Sequence, residues 1–233
     1  MIEYLNGIDA DALLAVNGLH DMFQDAFWWM VTAKWSSLLL VLALAWILLH
    51  QNRRHALLVL AMLVLSILVA DQVSSGLIKH LVERLRPTHD PSLESMVHVI
   101  NGYRGGLYGF VSSHAANSFA VATLIALVMR HRVVTLSMFT WALLQCYSRI
   151  YLGVHYPGDI LGGIIVGVLA GWLVWQLMRW IEGRCHRRFL RCLRVPGPEV
   201  LRRFPHVRSQ EPVAGSAGHH EAVRLRGQDG RRP

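Results

Sequence analysis

The chain has 233 residues, of which 53% are hydrophobic and only 16% charged, and its formal net charge is +8. That balance is too apolar for an ordinary soluble domain. The sequence holds no Walker-type loop, dinucleotide fingerprint, nucleic-acid motif or internal repeat, so nucleic acid is not an expected partner.

In chain order, residues 9–27 come first. They mix Leu13, Leu14, Val16, Leu19, Phe23 and Phe27 with Asp11, His20, Asp21 and Asp25, a pattern that predicts an amphipathic, interfacial helix. The basic start and small-residue cleavage site of a signal peptide are lacking, so this segment is expected to stay in the mature protein. Five runs nearly free of charge follow, at about 31–49, 56–78, 110–129, 133–147 and 158–180. They approach the roughly 20 residues that a helix needs to cross a bilayer, the fourth being the shortest. The expected fold is all-α, an integral-membrane bundle of about five transmembrane helices over residues 28–181, with the amphipathic segment 1–27 before it. Residues 182–233 form a basic cytoplasmic tail, and beyond Arg194 its polar, Pro- and Gly-rich composition predicts disorder. Cys146, Cys185 and Cys192 show neither metal-ligand spacing nor an even disulfide framework, so no metal site is expected; Cys146 reads as a small residue packed in a helix.

Short cytoplasmic loops carry an excess of Lys and Arg. Arg53 and Arg54, Arg130 and Arg132, and the tail therefore belong inside. The N-terminus, the loop 79–109 and the turn around Val154 then fall outside. Trp28, Trp29 and Trp35 suit an outer interfacial belt and Trp180 the inner one. Against the rule, the outer segments hold Lys79, Arg84, Arg86, Arg104 and Arg149, and cations on the wrong side imply a task there.

Three polar clusters reach that face. In "KHLVERLRP", Lys79 closes the second run and Arg86-Pro87 follows; a lysine at a span end also snorkels without any further role. In "FVSSHAANSF", Ser112, Ser113 and His114 open the third run, where a serine either caps the helix or joins the free N–H groups in facing an anion. In "SRIYLGVHYPGD", Arg149 ends the fourth run and His155 and Asp159 flank the start of the fifth. Pro157 suits a first helical turn, and the four-residue step from His155 to Asp159 lets a carboxylate reach an imidazole. Cations, two histidines, a serine and an aspartate at one face fit phosphoryl transfer, in which fixed positive charge offsets the transferring group and a neutral imidazole attacks phosphorus.

On these residues the chain resembles the type 2 phosphatidic acid phosphatase superfamily, which includes the vanadium-dependent haloperoxidases. The family pattern Lys-x6-Arg-Pro is complete at Lys79, Arg86 and Pro87, and Ser-Arg-x5-His-x3-Asp at Ser148, Arg149, His155 and Asp159. The middle pattern, Pro-Ser-Gly-His, departs: Val111 replaces proline and Ser113 replaces glycine, while Ser112 and His114 remain. The resemblance implies that His155 forms a phosphohistidine, Asp159 orients it and His114 protonates the leaving group. It also implies phosphate binding by Lys79, Arg86, Arg149, Ser112 and the backbone N–H at Ser113, without cofactor or metal.

The resulting expectation is a metal-independent phosphatase acting on a lipid phosphate or diphosphate at the periplasmic face of a bacterial inner membrane. Undecaprenyl diphosphate, phosphatidylglycerol phosphate, phosphatidic acid and lipid A phosphate are the candidate substrates. The alternatives are a lipid phosphotransferase, or a non-catalytic lipid-phosphate-binding protein or transporter. Membrane lipids are the remaining expected partners, and the sequence does not set an oligomeric state. Two residues keep two readings each. Asp71 either supports the site from beneath or bridges helices, and Arg104 either meets a head group or belongs to a mobile connection.

Overall fold

A computed structural model of the chain describes residues 2–33, 35, 36, 40–42 and 53–192. Most of the first apolar run and the tail beyond 192 lie outside the described residues. The chain divides into two compact units, 1–186 and 187–233, and only residues 187–192 of the second are described.

The N-terminal segment is two helices rather than one. Helix α1 covers Ile2–Asn17 and α2 covers Met22–Thr32. Between them Asp21 caps α2, its side chain accepting from the Phe23 and Gln24 N–H groups. An aspartate at that position satisfies donors the helix leaves open, which explains why the amphipathic pattern breaks there. Nor is α1 merely interfacial, because Leu13 and Asn17 are buried. The Asn17 amide donates to the carbonyls of His98 and Tyr151, at 3.0 and 2.8 Å, and its oxygen accepts the His98 N–H.

Helix α3 (Arg53–Asp71) runs on through a π-helical stretch, Gln72–Ile78, into a last α-helical turn, Lys79–Val82. Glu83 ends it in the left-handed region, and a long connection leads to α4 (Ser113–Met129). Helix α5 (Arg132–Tyr151) and α6 (Pro157–Cys192) complete the described bundle, and no strand occurs among the described residues. Two helical stretches, His55–Val82 and Pro157–Arg184, are long and apolar enough to cross a membrane, with mean hydropathies of 2.4 and 2.0. Val59, Leu63, Leu124, Ile125 and Ala142 pack inside. Outward, Leu136, Leu161 and Ile165 are exposed by 71%, 63% and 61%, an apolar face that suits lipid and not water.

The seam between α4 and α6 is set by Gly163, Gly167 and Gly171. A Cβ at Gly163 would lie 2.5 Å from the Ser112 carbonyl, one at Gly171 would lie 2.6 Å from that of Ala120, and one at Gly167 would meet that of Ala116. Small residues at helical spacing let two backbones approach closely where lipid provides little hydrophobic drive between helices. The seam brings the start of α4 against the start of α6, where the Ser112 N–H donates to the Asp159 carbonyl at 3.0 Å.

Candidate active site

Helix α6 opens on Pro157, whose missing N–H costs nothing at a first helical position. Asp159, in that first turn, sends its carboxylate back toward the segment before the helix. Oδ2 lies 3.3 Å from His155 Nδ1 and accepts the Tyr156 N–H at 3.1 Å. Oδ1 accepts from Arg84 Nη1 at 3.0 Å. His155 and Asp159 are buried, and these donors offset the cost of burying a carboxylate. With Nδ1 donating to Asp159, the ring's Nε2 carries the lone pair. Burial, first, and then the fields of Arg86, Arg149 and Lys79 hold the His155 pKa well below its usual 6.5, so the ring is neutral at physiological pH.

Those three cations come from separate elements. Arg86 lies in the connection after α3, its Nε donating to the Tyr108 carbonyl at 3.1 Å. Gly105, in the left-handed region at φ +70°, leaves the space that the Arg86 guanidinium fills; a Cβ there would collide with Nη1. Arg149, at the end of α5, donates from Nη1 to Thr32 Oγ1 at 2.9 Å and from Nη2 to the Tyr103 hydroxyl at 3.0 Å. Arg86 Nη1 and Arg149 Nε are buried without a hydrogen-bond partner among the described residues. Lys79 Nζ donates to Ser113 Oγ at 2.8 Å, and Ser75 Oγ lies 2.6 Å from the same oxygen.

At the start of α4, Ser112 is the N-cap residue, yet its side chain makes no capping bond. Its Oγ is buried and unpartnered among the described residues, which removes the capping reading. Ser113 is the first residue of the helix proper, a conformation that accepts a Cβ, so serine fits where the family pattern has glycine. His114 follows, exposed, with Arg149, Arg86 and Lys79 as its charged neighbours and the neutral His155 nearby. The structure thus gathers Lys79, Arg86, Ser112, Ser113, His114, Arg149, His155 and Asp159 at one end of the bundle. The donors among them can hold the oxygens of a phosphate beside an unprotonated imidazole nitrogen.

Several participants received no particular role from the sequence, although Arg84 was counted among the unusual outer cations. Arg84 bridges two carboxylates, donating from Nη2 to Asp9 Oδ2 at 2.7 Å as well as to Asp159. Asp9 also accepts the Gly158 N–H at 2.7 Å, so α1 is pinned to the first turn of α6. The available signal was the Arg84-x-Arg86 step, since alternate residues of an extended segment share a side. Tyr103 and Thr32, which hold Arg149, had no signal at all. Asp71 has both roles weighed for it, through long contacts of 3.4 Å from Ser75 Oγ and 3.5 Å from Asn117 Nδ2. Arg104 is tied down within its own connection, 3.5 Å from Glu94 and 3.4 Å from the Thr88 carbonyl. Trp28 and Trp29 pack on Tyr147 and Tyr103 and so do more than mark an interface.

The family model of the PAP2 superfamily matches residues 55–182. The chain belongs to that superfamily and is a membrane lipid phosphatase of its class. It is 37% identical over 186 residues to a lipid A 4'-phosphatase of Bacteroides thetaiotaomicron, covering 79% of this chain and 83% of that one. A lipid A 4'-phosphatase of Porphyromonas gingivalis is 33% identical over 190 residues, covering 79% and 80%. In fold, the chain is similar to the transmembrane PAP2-type phosphatidylglycerolphosphate phosphatase of Bacillus subtilis. The TM-score is 0.58 at 24% identity, over 76% of this chain and 88% of that one.

Proposed function

We propose that the protein removes the 4'-phosphate of lipid A, or of a closely related acylated amino-sugar phosphate, through a phosphohistidine. The observation that carries this reading is a buried neutral His155, oriented by Asp159, beside unpartnered donors on Arg86, Arg149 and Ser112. The substrate class rests on the two relatives named above, which match over about four-fifths of both partners' lengths.

In this mechanism Lys79, Arg86, Arg149 and the Ser112 hydroxyl hold the nonbridging oxygens, and their charge offsets that of the transition state. His155 Nε2 attacks phosphorus in line while the bond to the sugar oxygen breaks. With the substrate's phosphate charge offsetting the surrounding cations, a protonated His114 gives that oxygen its proton, and the alcohol departs. A water then attacks the phosphohistidine, losing its proton to His114, and inorganic phosphate leaves with His155 restored. Asp159 keeps Nδ1 protonated and the ring fixed throughout. No step calls for a metal. The proposed topology has five spans and places this end of the bundle at the periplasmic face, with the C-terminus in the cytoplasm.

The test is phosphate release by purified protein from lipid A, phosphatidylglycerol phosphate, undecaprenyl diphosphate and phosphatidic acid, each with and without a chelator. Release from lipid A that survives chelation and is lost in His155→Ala is the expected result. Preference for another lipid would overturn the substrate, and strict magnesium dependence would overturn the mechanism. Transfer of the phosphate to a second lipid in place of water would reveal a phosphotransferase.

A further inference from the structure

A cavity of about 270 Å³ opens beside His114 and runs down the bundle between α3, α4 and α5. On α4 it is lined by His114, Asn117, Ser118 and Val121, the spacing of a single helical face. From His114 to Val121 that face extends roughly 10 Å at the ordinary helical rise. Ile67 and Trp141 close the other sides. The cavity therefore starts at the residue proposed to protonate the leaving oxygen and continues along the α4 helix away from it.

Its wall is apolar apart from a few polar groups, and most of those are engaged. Ser118 Oγ donates to the His114 carbonyl at 2.8 Å, and Gln145 Nε2 donates to the Val31 carbonyl at 2.7 Å. Two buried atoms have no partner among the described residues: Asn117 Oδ1, an acceptor, and Trp141 Nε1, a donor. The Asn117 amide is oriented by its Nδ2, which faces the Asp71 carboxylate at 3.5 Å, so the oxygen is the atom left over. Buried polar groups left unpaired at this depth are costly, and a ligand that pairs them is favoured over one that does not.

We infer that this cavity reads the substrate by binding a group that both donates and accepts a hydrogen bond close to the scissile phosphate, as an amide or a chain hydroxyl does. Asn117 and His114, three residues apart on one face, are neighbours with about 5–6 Å between their Cβ atoms, so a group held at Asn117 lies beside the proposed proton donor. A polyprenyl chain offers neither partner, and the acyl esters of phosphatidic acid offer only acceptors. An N-acylated amino sugar with its phosphate two ring carbons from the amide offers both. The inference rests on the proposed function and adds to it the residues that select among phosphorylated lipids.

Trp141→Phe and Asn117→Ala provide the test, with kcat/KM measured in mixed micelles on lipid A and on undecaprenyl diphosphate. Trp141→Phe removes only the N–H and preserves most of the ring. It should lower kcat/KM on lipid A about tenfold, mainly through KM, and leave the polyprenyl substrate within twofold. Asn117→Ala should show the same selectivity. Equal losses on both substrates would mean that these side chains only support the helices, and no loss on either would also overturn the inference. If wild-type protein does not hydrolyse lipid A but hydrolyses undecaprenyl diphosphate, the proposed substrate fails together with the selector. If it hydrolyses lipid A and the variants lose nothing selectively, the selector alone fails.

Discussion

Arg84→Met should weaken catalysis although Arg84 is absent from the phosphate-binding motifs. The Asp159 side chain is 0% exposed and that of Arg84 22%, and Arg84 is the one cation bonded to this carboxylate among the described residues. Removing one partner of a fully buried pair costs about 3–5 kcal/mol, because the other charge is left uncompensated. Arg84 is partly open to water, so a discount to about 2 kcal/mol is appropriate. The relaxed carboxylate can relieve that cost by tilting away or taking a proton, and either change releases His155 Nδ1–H. A 2 kcal/mol loss at the transition state corresponds to roughly 30-fold in kcat/KM. Arg84→Lys keeps the charge but cannot span Asp9 and Asp159 with a planar fork, so its deficit should be smaller, about fivefold. The assay is lipid phosphate hydrolysis beside thermal unfolding of the same preparations. Arg84→Met activity within threefold of wild type, at an unchanged Tm, would refute the argument.

Three further outcomes are expected. Ser113→Ala should reduce kcat/KM by roughly tenfold or more, because Lys79 loses the hydroxyl that holds its ammonium and hydrogen bonds to charged groups are worth about 1.5–3 kcal/mol; unchanged kinetics would return Ser113 to a backbone role. Gly167→Val should lower the Tm, since overpacking costs about 1–3 kcal/mol and the new side chain meets the Ala116 carbonyl and Phe119, whereas Gly7→Ala, with nothing within 4 Å, should not. The depressed His155 pKa sets the sign of a pH effect: below pH 6.5 the unfolded chain binds a proton at this residue that the folded chain refuses. Folding stability should therefore fall as pH drops below 6.5, by up to about 1.4 kcal/mol per unit from this residue, and His155→Gln should make that dependence less steep by this one proton in unfolding experiments.

What was legible in the sequence is what short spacing records. His155 and Asp159 stand one helical turn apart across Pro157, and that interval alone brought them together. Lys79 and Arg86 were legible as cations on a side where cations are unusual. The Asp9–Arg84–Asp159 bridge was not, because no local pattern encodes a contact between the first helix and the last. The π-helical stretch 72–78 also lacked a mark, although it is what carries Ser75 and Lys79 into reach of Ser113. Gly163, Gly167 and Gly171 were visible at a four-residue interval, but inside a run read only for its length and apolarity. The single amphipathic segment proved to be two helices because Asp21 caps the second, and a capping aspartate looks in sequence like any other polar residue on an amphipathic face.

The tie between Asp9 and the Gly158 N–H joins positions 149 apart, with the catalytic dyad on the far side of that gap. During synthesis, then, everything up to Arg149 can enter the membrane with its cations in place and still hold no nucleophile. Under the proposed mechanism, a chain that ends before the last helix has Lys79, Arg86 and Arg149 but lacks His155 and Asp159, so it holds phosphate-binding groups without a nucleophile.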